Sequence, residues 1–231
     1  MIGKRQGSPR WRAALFDLDG TLVDTRPGMR AALGAAFAEV TGDDSGTERA
    51  DLSLPLDDMI RSADPAVPST LQGQLSAAFR RHYDSTHWNV ADVYPGAEEC
   101  LRGMGAAGVR TFVVTNKRSS AAERLLEHFH LAPYLEGVVG QPETGGPLPK
   151  SELAGRCLAS AGLDPASTVV VGDSNHDAAM AAAWGMAFIA ITSGAGPLSP
   201  ASADLERMEV DNLADAAAFV LLRPQGGSRE P

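Results

Sequence analysis

Short, largely apolar runs alternate with helix-like patterns along most of this chain. The strongest runs are residues 12–16, 109–114 and 168–171, and weaker ones are residues 137–139 and 187–191. They are continuously apolar rather than alternating, as strands are when both of their faces are buried in a parallel sheet. Helical patterns between the runs complete βαβ units, so the sequence predicts an α/β fold with a parallel sheet.

One long insert interrupts this alternation. Between the first and second strong runs the chain has no strand-like run, and around residues 71–79 apolar side chains recur every four positions, as on one helix face. The sequence therefore predicts a core at residues 1–24 and 95–231 and an all-helical cap at residues 25–94. Because both ends of the insert lie near the end of the first strand, we expect the cap to cover the residues there.

Several local signals predict where helices begin and end. Ser120 and Glu123 fit a capping box, and Ser151 and Asn212 are candidate N-caps. Gly162 is placed to end the helix that Ser151 would begin.

Composition excludes several classes of protein. The chain has 231 residues, a formal net charge of -9 and two cysteines, Cys100 and Cys157, both in helical patterns. Nucleic acid is not an expected partner, because affinity for a phosphate backbone requires clustered Lys and Arg. No apolar run approaches the roughly 18 residues of a membrane span, and residues 1–12 lack the apolar segment of a secretory signal. We expect a cytoplasmic enzyme, whose cysteines are small buried apolar residues.

Polar residues capable of chemistry follow each strong strand. Asp17 and Asp19 lie two residues apart, so in extended backbone both point the same way. The carboxyl ends of parallel strands share one edge, where open α/β sheets bind ligands. Two carboxylates aimed at one point repel each other unless a cation or a shared proton relieves them, which indicates metal-assisted chemistry on a charged substrate. The other polar residues at this edge are Thr115, Asn116 and Lys117 after the second strand, and Asp173 and Asp177 after the third.

These motifs resemble those of the haloacid dehalogenase superfamily, in particular its phosphoglycolate-phosphatase-like members with a helical cap. The resemblance covers nearly the whole chain and implies a Rossmann-like core. Three motifs occur in the family's order: D-x-D-G-T at residues 17–21, a Thr ending the next strand at Thr115, and G-D-S-x-x-D at residues 172–177.

The chain differs from the family's pattern at the lysine motif. Its members usually have Lys followed by Pro, whereas this chain has Pro149-Lys150-Ser151. The chain has three lysines, and Lys4 lies in the N-terminal tail. Lys150 is therefore the preferred phosphate-binding lysine, and Lys117 is the alternative.

The resemblance implies hydrolysis of a phosphate monoester in two in-line steps. Asp17 would be the nucleophile that forms an aspartyl-phosphate, and Asp19 the general acid and base. Mg2+ would be held by Asp17, Asp173 and the backbone carbonyl of Asp19. Asp177 would not bind the ion directly but would contact a bound water or the lysine. The phosphoryl oxygens would be held by Thr115, the Asn116 N–H and Lys150.

The resemblance leaves the substrate open. A small phosphorylated metabolite such as phosphoglycolate is expected, and Arg26, Arg30 and Arg61 are candidates for contact with a substrate anion, by analogy only. A sugar-phosphate mutase similar to β-phosphoglucomutase uses the same pair of aspartates and is the alternative enzyme. A catalytically silent binding or regulatory domain is the alternative outside enzymes. The oligomeric state is not indicated by the sequence.

Overall fold

The computed structural model describes residues 9–52, 54–193, 198–199 and 205–221 of the chain. The chain forms two compact units, Met1–Leu22 with Tyr94–Pro231, and Val23–Val93. These divisions lie one or two residues from the predicted boundaries at residues 24 and 95.

The described residues of the two units form the following strands and helices. The strands are β1 (Ala13–Phe16), β2 (Val23–Asp24), β3 (Asp92–Val93), β4 (Arg110–Arg118), β5 (Gly137–Gln141), β6 (Thr168–Gly172), β7 (Ala187–Ile191) and β8 (Arg207–Val210). The helices are α1 (Arg26–Thr41), α2 (Leu56–Ala63), α3 (Ser69–His82), α4 (Ala97–Ala106), α5 (Ser119–His128), α6 (Lys150–Ala161), α7 (Asn175–Trp184) and α8 (Leu213–Leu221). None of these helices has the length and apolar character needed to cross a membrane.

The first unit is built on a six-stranded sheet in the order β5-β4-β1-β6-β7-β8. All its strand pairs are parallel, and Ala13 at the start of β1 is in register with Arg110 of β4 and Thr168 of β6. The predicted α/β fold with a parallel sheet is confirmed. The chain builds β4 and β5 on one side of β1 and then crosses to β6 on the other. The carboxyl end of β1 is therefore a topological switch point, where ligands bind in open α/β sheets.

Burial explains why the central strands are continuously apolar. Every residue of β1, β6 and β7 is buried. One core cluster joins Leu15, Val170 and Phe188 of these strands to Leu153 and Cys157 of α6. Cys157 and Cys100 are buried free thiols, as predicted, and burial raises the pKa of Cys100 to about 12.

The strands differ from the sequence prediction mainly at the end of β4 and at the edge strand β8. β7 covers the predicted residues, whereas β4 continues to Arg118 through an irregularity in its pairing with β5. The edge strand β8 was not predicted, because it is only partly buried and lacks a continuous apolar run.

Two of the predicted helix starts are wrong. α5 begins at Ser119, and the Ser120 N–H donates to Glu143 Oε1 (3.0 Å) rather than taking part in a capping box. α6 begins at Lys150 after Pro149, so Ser151 lies inside the helix. Gly162 ends α6 in the left-handed conformation, as predicted. Asn212 also caps α8 as predicted, because its Oδ1 accepts a hydrogen bond from the Asp215 N–H (2.9 Å).

The described part of the second unit contains α1, α2 and α3, and β2 and β3 form a two-residue antiparallel ladder in it. Its core includes Leu33 and Phe37 of α1, Ile60 of α2, and Leu75 and Phe79 of α3. The helix periodicity read from the sequence therefore corresponds to a buried apolar face.

Candidate active site

Asp17 and Asp173 are brought together by adjacent strands. Asp17 directly follows β1, and its N–H donates to the carbonyl of Val171 in β6 (2.9 Å). Asp173 directly follows β6, so parallel pairing places both carboxylates at one edge of the sheet. Asp177, on the first turn of α7, completes a group in which one carboxylate oxygen from each residue lies within 4.8 Å of the others.

Lys150 enters this group from the start of α6. Its Nζ donates to Asp17 Oδ1 at 2.6 Å and lies 2.6 Å from Asp177 Oδ1. The contact with Asp177 is a close ion pair buried in the site. The relative exposures of Asp17, Asp173, Asp177 and Lys150 are 6%, 6%, 0% and 7%. Three carboxylates against one ammonium leave a formal charge of -2 in a buried site.

Burial is the largest single influence on the pKa of Asp17, Asp173 and Lys150. It raises the pKa of Asp17 well above its ordinary value, although Lys150 opposes the shift. It also raises the pKa of Asp173 from 3.8 to about 6, and the Asp177 carboxylate adds to the increase. For Lys150, burial acts to lower the pKa, but the charges of Asp17 and Asp177 outweigh it and the pKa lies above its ordinary value. An added divalent cation would offset the excess negative charge.

Asp177 is oriented by its own helix start. Ser174 is the N-cap of α7, and a capping box joins its side chain and backbone to Asp177. Asp177 Oδ2 accepts hydrogen bonds from Ser174 Oγ (2.6 Å) and from the Ser174 N–H (3.0 Å). Sequence reasoning missed this cap, although Ser174 followed three residues later by an acid is the signal for it.

Two glycines allow the acidic residues to approach the backbone. A Cβ on Gly20 would lie 2.1 Å from Asp173 Oδ2, and Gly20 has a φ of +89°. A Cβ on Gly172 would lie 2.4 Å from Asp177 Cγ. Both motif glycines are therefore required by the close packing of the carboxylates. The motif's Thr21 Oγ1 also lies 3.4 Å from Asp173 Oδ1, at the long end of a hydrogen bond.

Asp19 lies outside the group of three carboxylates and contacts the second lysine. Lys117 Nζ is 3.0 Å from Asp19 Oδ1. Thr115 is buried, and its Oγ1 accepts a hydrogen bond from the Lys117 N–H (3.1 Å). Asn116 is exposed. The two candidate lysines therefore contact different aspartates of the first motif: Lys150 contacts Asp17, and Lys117 contacts Asp19.

The three candidate arginines make contacts within the second unit. Arg26 pairs with Asp24 (2.7 Å), and Arg61 pairs with Asp58. Arg30 donates hydrogen bonds to the carbonyls of Thr47 (2.9 Å) and Glu48 (2.7 Å). These contacts do not assign a substrate-binding role to any of the three.

The carboxylate group fits a hard divalent cation. Its donors are all oxygen, which suits Mg2+ or Ca2+ better than a softer metal. Asp177 Oδ1 is paired with the Lys150 ammonium, but three carboxylates against that one cation leave the local charge negative. Asp17, Asp173 and Asp177 could each offer an oxygen to such an ion, and Lys150 contacts both Asp17 and Asp177.

Comparisons with known proteins agree with this fold. The family model described as "Haloacid dehalogenase-like hydrolase" matches residues 14–191. "Phosphoglycolate phosphatase" of Cereibacter sphaeroides is 32% identical over 188 residues, which cover 78% of this chain and 84% of that protein. "Probable phosphatase IndB" of Dickeya dadantii is 32% identical over 219 residues, which cover 90% and 94% of the two chains. A solved haloacid dehalogenase-like family hydrolase of Streptococcus pneumoniae superposes with a TM-score of 0.76 at 22% identity, covering 91% of this chain and 98% of that one.

The parallel sheet, the acidic residues at its edge and the family match together define a hydrolase. The chain belongs to the haloacid dehalogenase-like hydrolase family. Because the family match is joined by curated relatives at 32% identity that are named phosphoglycolate phosphatase and probable phosphatase, its enzymatic class is phosphoric monoester hydrolase.

Proposed function

We propose that this enzyme hydrolyses a small phosphate monoester, with phosphoglycolate as the first candidate, in a reaction that depends on Mg2+ and on an aspartyl-phosphate at Asp17. The observation that carries the proposal is the position of Lys150, whose Nζ lies 2.6 Å from both Asp17 Oδ1 and Asp177 Oδ1, beside Asp173. Relatives named phosphoglycolate phosphatase support the choice of first substrate.

Asp17 is the proposed nucleophile. Its carboxylate attacks the phosphorus atom, the bond from phosphorus to the leaving oxygen breaks, and Asp19 gives that oxygen a proton. Water then attacks the same phosphorus, Asp19 takes a proton from the water, and the bond between Asp17 and phosphorus breaks. One hard displacement is thereby divided into two easier ones.

Lys150, Thr115 and the Asn116 N–H are proposed to hold the phosphoryl oxygens. Charge on these oxygens is stabilised best by donors whose positions are set before the reaction. The contact between Asp177 and Lys150 supports a holding role for Asp177, which accounts for its complete burial. Mg2+, held by Asp17, Asp173 and the carbonyl of Asp19, would neutralise charge on the phosphate.

The test is phosphate release from phosphoglycolate and a panel of phosphorylated metabolites in the presence of Mg2+. We expect release with at least one small ester, loss of release in Asp17→Asn, and normal release in Asp211→Asn, which changes an exposed acid outside the site. Isomerised hexose phosphate without free phosphate would instead establish a mutase. Turnover retained in Asp17→Asn would refute the assigned nucleophile.

Two expectations from the sequence also belong to the proposal: a cytoplasmic location and the absence of a nucleic-acid partner. The cap role of the second unit is likewise part of the proposal.

A further inference from the structure

Lys150 directly follows an irregular segment of the chain. Residues 142–149 form neither helix nor strand, and they include three prolines and two adjacent glycines. Lys150 nevertheless lies within 2.6 Å of two carboxylate oxygens. A segment of this kind does not by itself define a side-chain position to that accuracy, so other contacts must hold it.

Gln141 supplies such a contact before the lysine. It is the last residue of β5, so its backbone is part of the sheet. Its side-chain amide forms a reciprocal pair with the backbone of Leu148: Nε2 donates to the Leu148 carbonyl and Oε1 accepts from the Leu148 N–H, both at 2.8 Å. Leu148 itself packs against the core of the sheet. The pair closes residues 142–147 into a loop and anchors the backbone two residues before Lys150.

Trp184 supplies a contact after the lysine. Its Nε1 donates to the carbonyl of Ser151 in the first turn of α6, at 2.8 Å. Its ring lies so close to Gly155 that a Cβ there would be 2.5 Å from the ring. Trp184 ends α7, and Asp177 lies in the first turn of that helix. The contact therefore fixes α6, which carries Lys150, against α7, which carries Asp177.

We infer that Gln141 is a positioning residue for Lys150, which it holds between Asp17 and Asp177 by anchoring Leu148. Trp184 restrains the backbone directly after Lys150 through its hydrogen bond to the Ser151 carbonyl. The inference rests on the proposed role of Lys150 in binding the phosphoryl group. It assigns no contact with substrate to Gln141.

The first test measures the position of Lys150 without any reaction. An amine-acylating reagent is applied briefly to four proteins: wild type, Gln141→Ala, Gln141→Glu and the loop control Thr144→Ala. Mass spectrometry then measures the labelling of Lys150 relative to that of Lys4. Buried and ion-paired, Lys150 of wild type should react slowly. We expect labelling about 5-fold faster or more in Gln141→Ala, because two hydrogen bonds that order the segment are lost. Gln141→Glu should be intermediate, because a carboxylate accepts from the Leu148 N–H but cannot donate to its carbonyl.

The second test separates positioning from general stability. In the presence of Mg2+, Gln141→Ala should lower kcat/KM about 10-fold with Lys150 present but less than about 2-fold in a Lys150→Met background, because the two side chains act as one unit. Labelling of Lys150 at the wild-type rate in Gln141→Ala, or equal losses of activity in both backgrounds, would overturn the inference. If wild type hydrolyses no ester, the proposed function fails, and the labelling result alone decides whether Gln141 positions the lysine.

Discussion

Replacing Asp173 with Asn should make the metal-free protein more stable while removing its response to Mg2+. Asp173 is buried beside the other carboxylates, and its pKa is raised from 3.8 to about 6. At pH 7.5 the folded protein therefore holds a charge that burial disfavours. At about 1.4 kcal/mol for each pH unit, this charge costs about 3 kcal/mol of folding free energy. Asn removes the charge and retains an oxygen that can accept the weak contact from Thr21.

The sign of the pH dependence follows from the raised pKa. Above pH 6 the folded state carries the full cost of the charged carboxylate, and the cost falls as the pH drops through 6 and the folded state takes up the proton. The stability difference between Asp173→Asn and wild type should therefore shrink from about 3 kcal/mol at pH 7.5 to about 1.5 kcal/mol at pH 5.

The assay is thermal and urea unfolding in EDTA at both pH values, repeated in Mg2+. For a chain of this size, we expect the variant to melt on the order of 5–10 °C above wild type in EDTA at pH 7.5. Mg2+ at about 100 times its Kd should stabilise wild type by about 2.7 kcal/mol and the variant far less. Asp211→Asn, which removes an exposed acid, should match wild type throughout. A variant less stable than wild type in EDTA, by an amount that does not change with pH, would refute the reasoning.

Three further predictions concern the chemistry of the site. EDTA should abolish phosphate release and Mg2+ should restore it, because the candidate ligands are all oxygen; activity that resists EDTA would contradict the metal role. Lys150→Ala should lower kcat/KM about 100-fold or more, as expected for a donor to the phosphoryl group, and Lys117→Ala should cost much less; the reverse order would make Lys117 the phosphate-binding lysine. Gly20→Ala should weaken Mg2+ binding measured by calorimetry, because its Cβ would displace Asp173 and its φ of +89° disfavours a side chain. Unchanged Mg2+ affinity would show that this close approach is not needed.

Much of the fold was predictable because its signals are local. The central strands are buried on both faces, so their apolar character is continuous in the sequence, and β7 was predicted to the residue. The edge strand β8 lacks this signal, because its identity as a strand depends on pairing with β7. The helix starts at Ser120 and Ser151 were predicted wrongly, because a serine near a helix start is equally compatible with a position inside the first turn.

By itself, the sequence determined the order of the motifs and the strand ends that carry them, because each motif directly follows its own apolar run. Only the tertiary structure decided which lysine contacts which aspartate: Lys150 meets Asp17 across 133 residues of chain, and Lys117 meets Asp19. Such contacts depend on the register of neighbouring strands and on the path of the segment before α6. Neither is encoded in the local pattern around the residues that meet.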